Sequence, residues 1–195
     1  AGLLALSTAA GIKPGTAAAQ VSASLRSAAK SKFSTTEKAN TLNEVSGYCN
    51  YYEFGTDKTD PPVHAKRLKT QPWTVVVEGE VAKPRTFGIE DLLKMQMEER
   101  IYRLRCVEAW SMVIPWVGFE FNRLAKIVEP TSKAKFVEFH TALQPENMPG
   151  VRLPVLEWPY IEGLRIDEAM NPLTDWKSTR LNSSHVSESR MPSSA

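Results

Sequence analysis

In the stretch Glu99-Arg100-Ile101-Tyr102-Arg103-Leu104-Arg105-Cys106-Val107-Glu108-Ala109-Trp110-Ser111-Met112, residue types alternate with period two from Arg100 to Val107. That alternation predicts a β-strand, with Cys106 at or just beyond its end. Strand ends that feed loops are where a rigid scaffold presents reactive groups. Arg103 and Arg105 flank the thiol with positive charge, which favours thiolate, the form that attacks electrophiles and binds metals. Cys106 is therefore a candidate reactive or metal-bound sulfur, against the alternative of a small buried hydrophobe.

Upstream, the β-branched run from Trp73 to Val81 predicts a strand, and Lys83-Pro84 turns the chain. Ile89, Leu92, Leu93 and Met97 stand at helical spacing behind acidic Glu90 and Asp91, predicting a helix over 89–97. Downstream, Phe121, Leu124 and Val128 mark a second helix that Pro130 ends. Lys135 to Thr141 alternates as a strand, with Val137, Phe139 and Thr141 opposite Phe136 and His140. Pro145, Pro149 and Pro154 make 144–159 a long loop. Short strands mixed with short helices imply an α+β fold.

The 195 residues leave room for one domain of ordinary size. A net charge of +2, with no Lys/Arg block interleaved with aromatics, argues against a nucleic-acid partner. Two cysteines and the scattered His64, His140 and His185 do not make a conventional zinc site. At the N-terminus an apolar Ala/Leu/Gly run leads to Thr16-Ala17-Ala18-Ala19, the pattern of an export signal cleaved near Ala19, so 1–19 is expected to be a partial signal peptide. Residues 20–46 are rich in Ser, Ala, Thr and Lys and are expected to be a flexible leader. Order is expected from Tyr48, where Tyr48, Tyr51, Tyr52 and Phe54 cluster as a lid or pocket wall.

Four segments together resemble one family: Tyr52-Glu53-Phe54-Gly55, the block Glu99 to Met112, Pro115-Trp116-Val117-Gly118-Phe119 and Tyr160-Ile161-Glu162-Gly163-Leu164-Arg165. The family is that of the catalytic subunits of bacterial protein-methionine-sulfoxide reductases, periplasmic molybdoenzymes of the sulfite-oxidase fold. The resemblance runs from about Gly47 to Thr174 and implies the N-terminal portion of a sulfite-oxidase-type molybdopterin-binding domain. It assigns 47–174 to that domain and leaves 175–195, Ser-rich and without apolar periodicity, as a non-native or disordered tail.

The resemblance further implies a molybdenum–molybdopterin cofactor, with Cys106 the one protein thiolate on the metal and the catalytic residue. Tyr52, Glu53 and Thr141 would contact the cofactor. So would the residue at Cys49, although the family usually has Asn there and a thiol is a weak partner. The implied activity is repair of methionine sulfoxide in oxidised periplasmic proteins by oxygen-atom transfer. Beside it, Arg103 or Arg105 is a candidate for orienting the polar sulfoxide oxygen. Electrons would come from the quinone pool through a membrane haem-binding subunit. The implied route to the periplasm is the twin-arginine one, the arginine pair itself not being in this sequence. Two other readings stand beside it: a sulfite-oxidase-like oxidoreductase of other substrate, or a non-catalytic binding module stapled by a Cys49–Cys106 disulfide.

Overall fold

The computed structural model describes residues 28–70, 72–106 and 108–177. The expected export signal at 1–19, residues 20–27 of the leader and the tail beyond 177 lie outside the described residues. In chain order the strands are β1 (Ala29–Lys30), β2 (Thr74–Val77), β3 (Arg85–Gly88), β4 (Glu98–Arg105), β5 (Ser111–Glu120), β6 (Phe136–His140), β7 (Ile161–Arg165) and β8 (Asp175–Lys177). The helices are α1 (Leu42–Gly47), α2 (Asp60–His64), α3 (Ile89–Leu93), α4 (Phe121–Val128) and α5 (Ile166–Ala169). The fold is α+β, as the sequence implies.

A four-stranded sheet in the order β1-β4-β5-β8 carries the site. Its centre is the β4–β5 hairpin, registered from Glu98 opposite Gly118 to Arg105 opposite Ser111. Pro115 lies inside β5, where a missing N–H should break a ladder. Its partner Ile101 turns away from it, giving its N–H to Ser34 Oγ (3.1 Å) and its carbonyl to the N–H of Thr35 (2.6 Å). The pair is thus a non-hydrogen-bonded one, and β8 covers β5 only from Gly118 to Glu120, so Pro115 breaks no ladder bond.

The two ends of the domain extend beyond the expected bounds. The leader expected over 20–46 is built into the fold from residue 28 on: Ala29 and Ser31 donate to the carbonyls of Met97 and Glu99 on the edge of β4. Asn40 then clasps β5, its N–H on the Val113 carbonyl and its Oδ1 accepting from the Val113 N–H, both at 2.9 Å. Thr41 and Glu44 form a capping box that starts α1, whose Val45 packs on Ile114 and Trp116. Composition misses this because the ordering comes from backbone hydrogen bonds to another element, which cost no apolar side chains. At the other end Asp175, Trp176 and Lys177, expected in the tail, are buried in β8. Trp176 stacks on Phe119 and Phe121 with ring centroids 6.3 and 6.4 Å apart.

Within the domain the expected elements shorten. The strand foreseen over 73–81 stops at Val77, because Gly79 takes φ 92° and turns the chain. The helix foreseen to Met97 ends at Leu93, and a turn through Lys94 brings Met97 into the core ahead of β4. Phe121–Val128 is a helix throughout, its Phe121, Leu124 and Val128 buried. β6 and β7 pair as a separate antiparallel ribbon, Phe136, Glu138 and His140 exposed and Val137 and Phe139 turned inward. The long loop before β7 contains one 3-10 turn, Pro149–Arg152, and Met148 beside it anchors in the main core.

Candidate active site

Cys106 follows directly on β4 and opens the loop that turns the β4–β5 hairpin. Its N–H donates to the Trp110 carbonyl (2.9 Å), and its own carbonyl accepts from the Ala109 N–H (3.0 Å), which closes a tight loop over 106–110. Ala109 takes φ 70° to make that closure, a conformation non-glycine residues seldom adopt. The thiol is half-buried and in no disulfide. The strand periodicity thus delivers a sulfur to a constrained, partly open loop.

The segment from Tyr48 to Lys58 brackets this loop. The Tyr48 and Trp110 rings meet edge to face with centroids 5.4 Å apart. Lys58 Nζ reaches Glu108 Oε2 at 2.9 Å and Asn50 Oδ1 at 2.9 Å, and sits 5.8 Å from the Tyr52 ring centroid. Trp110 Nε1 donates to the same carboxylate oxygen, Glu108 Oε2, at 3.3 Å. The Cys49 N–H bonds the Lys58 carbonyl (2.9 Å), so the bracket is itself a closed loop. Partial burial opposes the charge on Lys58, but Glu108 outweighs it and holds the ammonium above its usual range. The Lys58 hydrogen bond in turn holds the Glu108 carboxyl below the usual carboxylate range.

Tyr52 and Glu53 are half-buried on the same segment. They rest against the 149–152 turn, where the Gly150 N–H donates to the Glu53 carbonyl at 2.9 Å. A Cβ at Gly150 would stand 1.9 Å from the Tyr52 carbonyl oxygen, so only glycine permits this approach. Thr141 follows β6, its N–H on the Tyr160 carbonyl (3.0 Å). Its Oγ1 is buried and has no hydrogen-bond partner among the described residues. A buried hydroxyl left in this state is a group awaiting a partner.

Three expectations change. Cys49 is not at an open face: it lies in the core at 3% exposure, its thiol directed at the Val45 and Ser46 carbonyls (3.8 and 3.5 Å). Burial pushes that thiol up to about 11. No disulfide joins it to Cys106, so the stapled binding module loses its staple. Arg103 does not serve the thiol either, being committed to Glu37 (Nε to Oε2 3.2 Å) and to Ser111 Oγ (3.1 Å). The alternation of β4 sets Arg103 and Arg105 on its exposed face, away from Tyr102 and Leu104. The side chains that do hold the loop, Lys58, Asn50, Glu108 and Trp110, escaped the sequence reading as site residues. A charge pair spanning Lys58 to Glu108 has no local spacing to betray it.

Among the described residues no group of three or more His, Cys, Asp and Glu converges as a metal site.

The sequence profile of the oxidoreductase molybdopterin binding domain matches residues 61–179, a span that includes Cys106, Thr141 and β8. The protein-methionine-sulfoxide reductase catalytic subunit of Burkholderia mallei (strain ATCC 23344) is 55% identical over 151 residues, 77% of this chain and 46% of that protein. The equivalent subunit of Pseudomonas syringae pv. tomato is 59% identical over 135 residues, 68% of this chain and 40% of its own length. That of Xanthomonas axonopodis pv. citri is 58% identical over 147 residues, 75% and 46% respectively. The chain spans less than half the length of these curated relatives.

Proposed function

The chain belongs to the oxidoreductase molybdopterin-binding domain family, and from that premise we propose that Cys106 is the thiolate ligand of a molybdenum–molybdopterin cofactor in a reductase of protein-bound methionine sulfoxide. The observation that carries this reading is a half-buried thiol on a constrained loop that turns a hairpin, inside the family match. The residues present fit such a group. A soft sulfur donor suits molybdenum, the orphaned Thr141 hydroxyl suits a polar cofactor edge, and the half-buried Tyr52 and Glu53 stand on the segment tied to the Cys106 loop. Cys49 does not fit, since its neutral thiol is spent in the core.

When bound, the cofactor supplies two-electron oxygen-atom-transfer chemistry: a sulfoxide, two electrons and two protons give a thioether and water. The chain's own part is positional. The loop hydrogen bonds at Cys106 fix the sulfur at the end of a rigid hairpin, so that ligation needs no reordering of the backbone. Glu108, ionised against Lys58, places a fixed negative charge two residues from the sulfur and is not a proton donor near neutral pH. Tyr52 and Thr141 offer hydroxyls as hydrogen-bond donors, and Glu53 a carboxylate.

The further parts of the reading are a periplasmic location, oxidised exported proteins as substrate, and electrons from the quinone pool through a membrane haem-binding subunit. The export-signal pattern ending near Ala19 supports the location and the names of the relatives support a protein-bound methionine sulfoxide as substrate; the electron route is what the family resemblance implies. The test uses the full-length protein. It should purify with molybdenum by elemental mass spectrometry and reduce a methionine-sulfoxide peptide, and Cys106→Ser should fall to the level of a buffer control. A Cys106→Ser protein as active as the wild type overturns the assignment.

A further inference from the structure

We propose that Lys58 is a positioning residue for the Cys106 loop: its ammonium clamps Glu108 to Asn50 and thereby sets where the sulfur stands. The inference deepens the functional reading above and rests on it for its meaning in catalysis. Its physical content stands on the geometry alone.

Among the described residues of the loop 106–110, Cys106 makes two backbone hydrogen bonds within it and Ala109 takes an unfavourable left-handed conformation. Such a loop persists only where its surroundings over-determine it. Those surroundings converge on one side chain. Lys58 gives two of its three donors to Glu108 and Asn50 (both about 2.9 Å), and its charge lies over the Tyr52 ring at 5.8 Å. Glu108 is thereby held where Trp110 Nε1 can reach it, and the Trp110 carbonyl in turn receives the Cys106 N–H. The path from Lys58 to the thiol is therefore Glu108, Trp110 and the Cys106 amide, each step a hydrogen bond. Because Tyr52 shares the same ammonium, Lys58 also joins the segment bearing Tyr52 and Glu53 to the loop bearing the sulfur. A hydrophobic contact could not do this, since it would leave the Glu108 carboxylate and the Asn50 amide without a common partner.

The experiment is the rate of alkylation of Cys106 by iodoacetamide, mapped by peptide mass spectrometry in the full chain prepared free of molybdenum, with thermal melting recorded in parallel. Lys58→Met should speed Cys106 alkylation about fivefold, the worth of one partly exposed ion pair spent on loop opening. Lys58→Arg, which can still span Glu108 and Asn50, should return the rate to within about twofold of wild type, a rescue that mere loss of packing would not give. If Lys58→Met does not fold, Glu108→Gln opens the same clamp from the exposed side and is read by the same criterion. An unchanged rate in the folded Lys58→Met protein, or in Glu108→Gln when Lys58→Met fails, overturns the proposal. Alkylation needs no metal. A full-length protein that binds no molybdenum therefore sinks the functional reading and leaves the clamp to be decided by these rates.

Discussion

The two cysteines of this chain share a residue type and little else. Cys106 is half-buried on a loop, and Cys49 is buried in the core with its thiol pushed up to about 11 by desolvation. With Ellman's reagent at neutral pH, one thiol of the native protein should react promptly and the second only on unfolding. Two equally fast thiols would contradict the burial of Cys49. The same shift has a consequence for stability. A thiol that ionises near 9 when exposed and about 11 in the fold contributes fully below 9, and the contribution is lost as pH rises from 9 to 11. Urea midpoints should fall over that window, and Cys49→Ala should flatten the fall. Tyr102, raised to about 12 mainly by burial, extends the loss to higher pH in both proteins.

At the scale of elements, the site depends on how closely loops approach one another. The 149–152 turn touches the Tyr52–Glu53 backbone so tightly that no side-chain carbon fits at Gly150. Gly150→Ala must push the two loops apart, at a cost of about 1–3 kcal/mol by urea denaturation. The same substitution should displace Tyr52 and Glu53, seen as a changed tyrosine signal in near-ultraviolet circular dichroism. A variant with wild-type stability would mean that the turn gives way freely. Gly163, on β7, provides the contrast: the nearest atom to its added Cβ is 3.9 Å away, an ordinary contact.

For the molecule as a whole, the sheet is knitted by a buried ionic network. Arg100, 2% exposed, donates to Glu98 Oε1 (Nε, 2.6 Å) and to the carbonyls of Pro172 and Leu173, and faces Glu120 and Asp175 at 3.7 and 3.8 Å. Asp175 also pairs with Lys177 at 2.8 Å, and that ammonium lies over the Tyr102 and Trp116 rings. The network joins β4, β5 and β8. Arg100→Ala would leave Glu98, Glu120 and Asp175 opposed, among the described residues, only by Lys177 on Asp175 and Arg123 on Glu120, so it should cost about 3–5 kcal/mol in denaturant melts. A loss below 1 kcal/mol would mean that water already screens these charges.

What the sequence determined by itself was local. Period-two alternation delivered β4 and the thiol at its end, and helical spacing delivered Phe121–Val128. The residue types of the block Glu99 to Met112 carried the family. Each of these depends on neighbours in the chain, whose geometry is set by backbone periodicity alone. The ordering of residues 28–46, the burial of Cys49, the diversion of Arg103 to Glu37 and the Lys58–Glu108 clamp were decided only by tertiary structure. For three of these the partner lies far along the sequence, Asn40 with Val113, Lys58 with Glu108 and Arg103 with Glu37, and Cys49 is buried by packing in the core. Hydrogen bonds and charges at such separation have no period to read. They exist only once the fold brings the polar atoms of distant residues within 3 Å or so of one another.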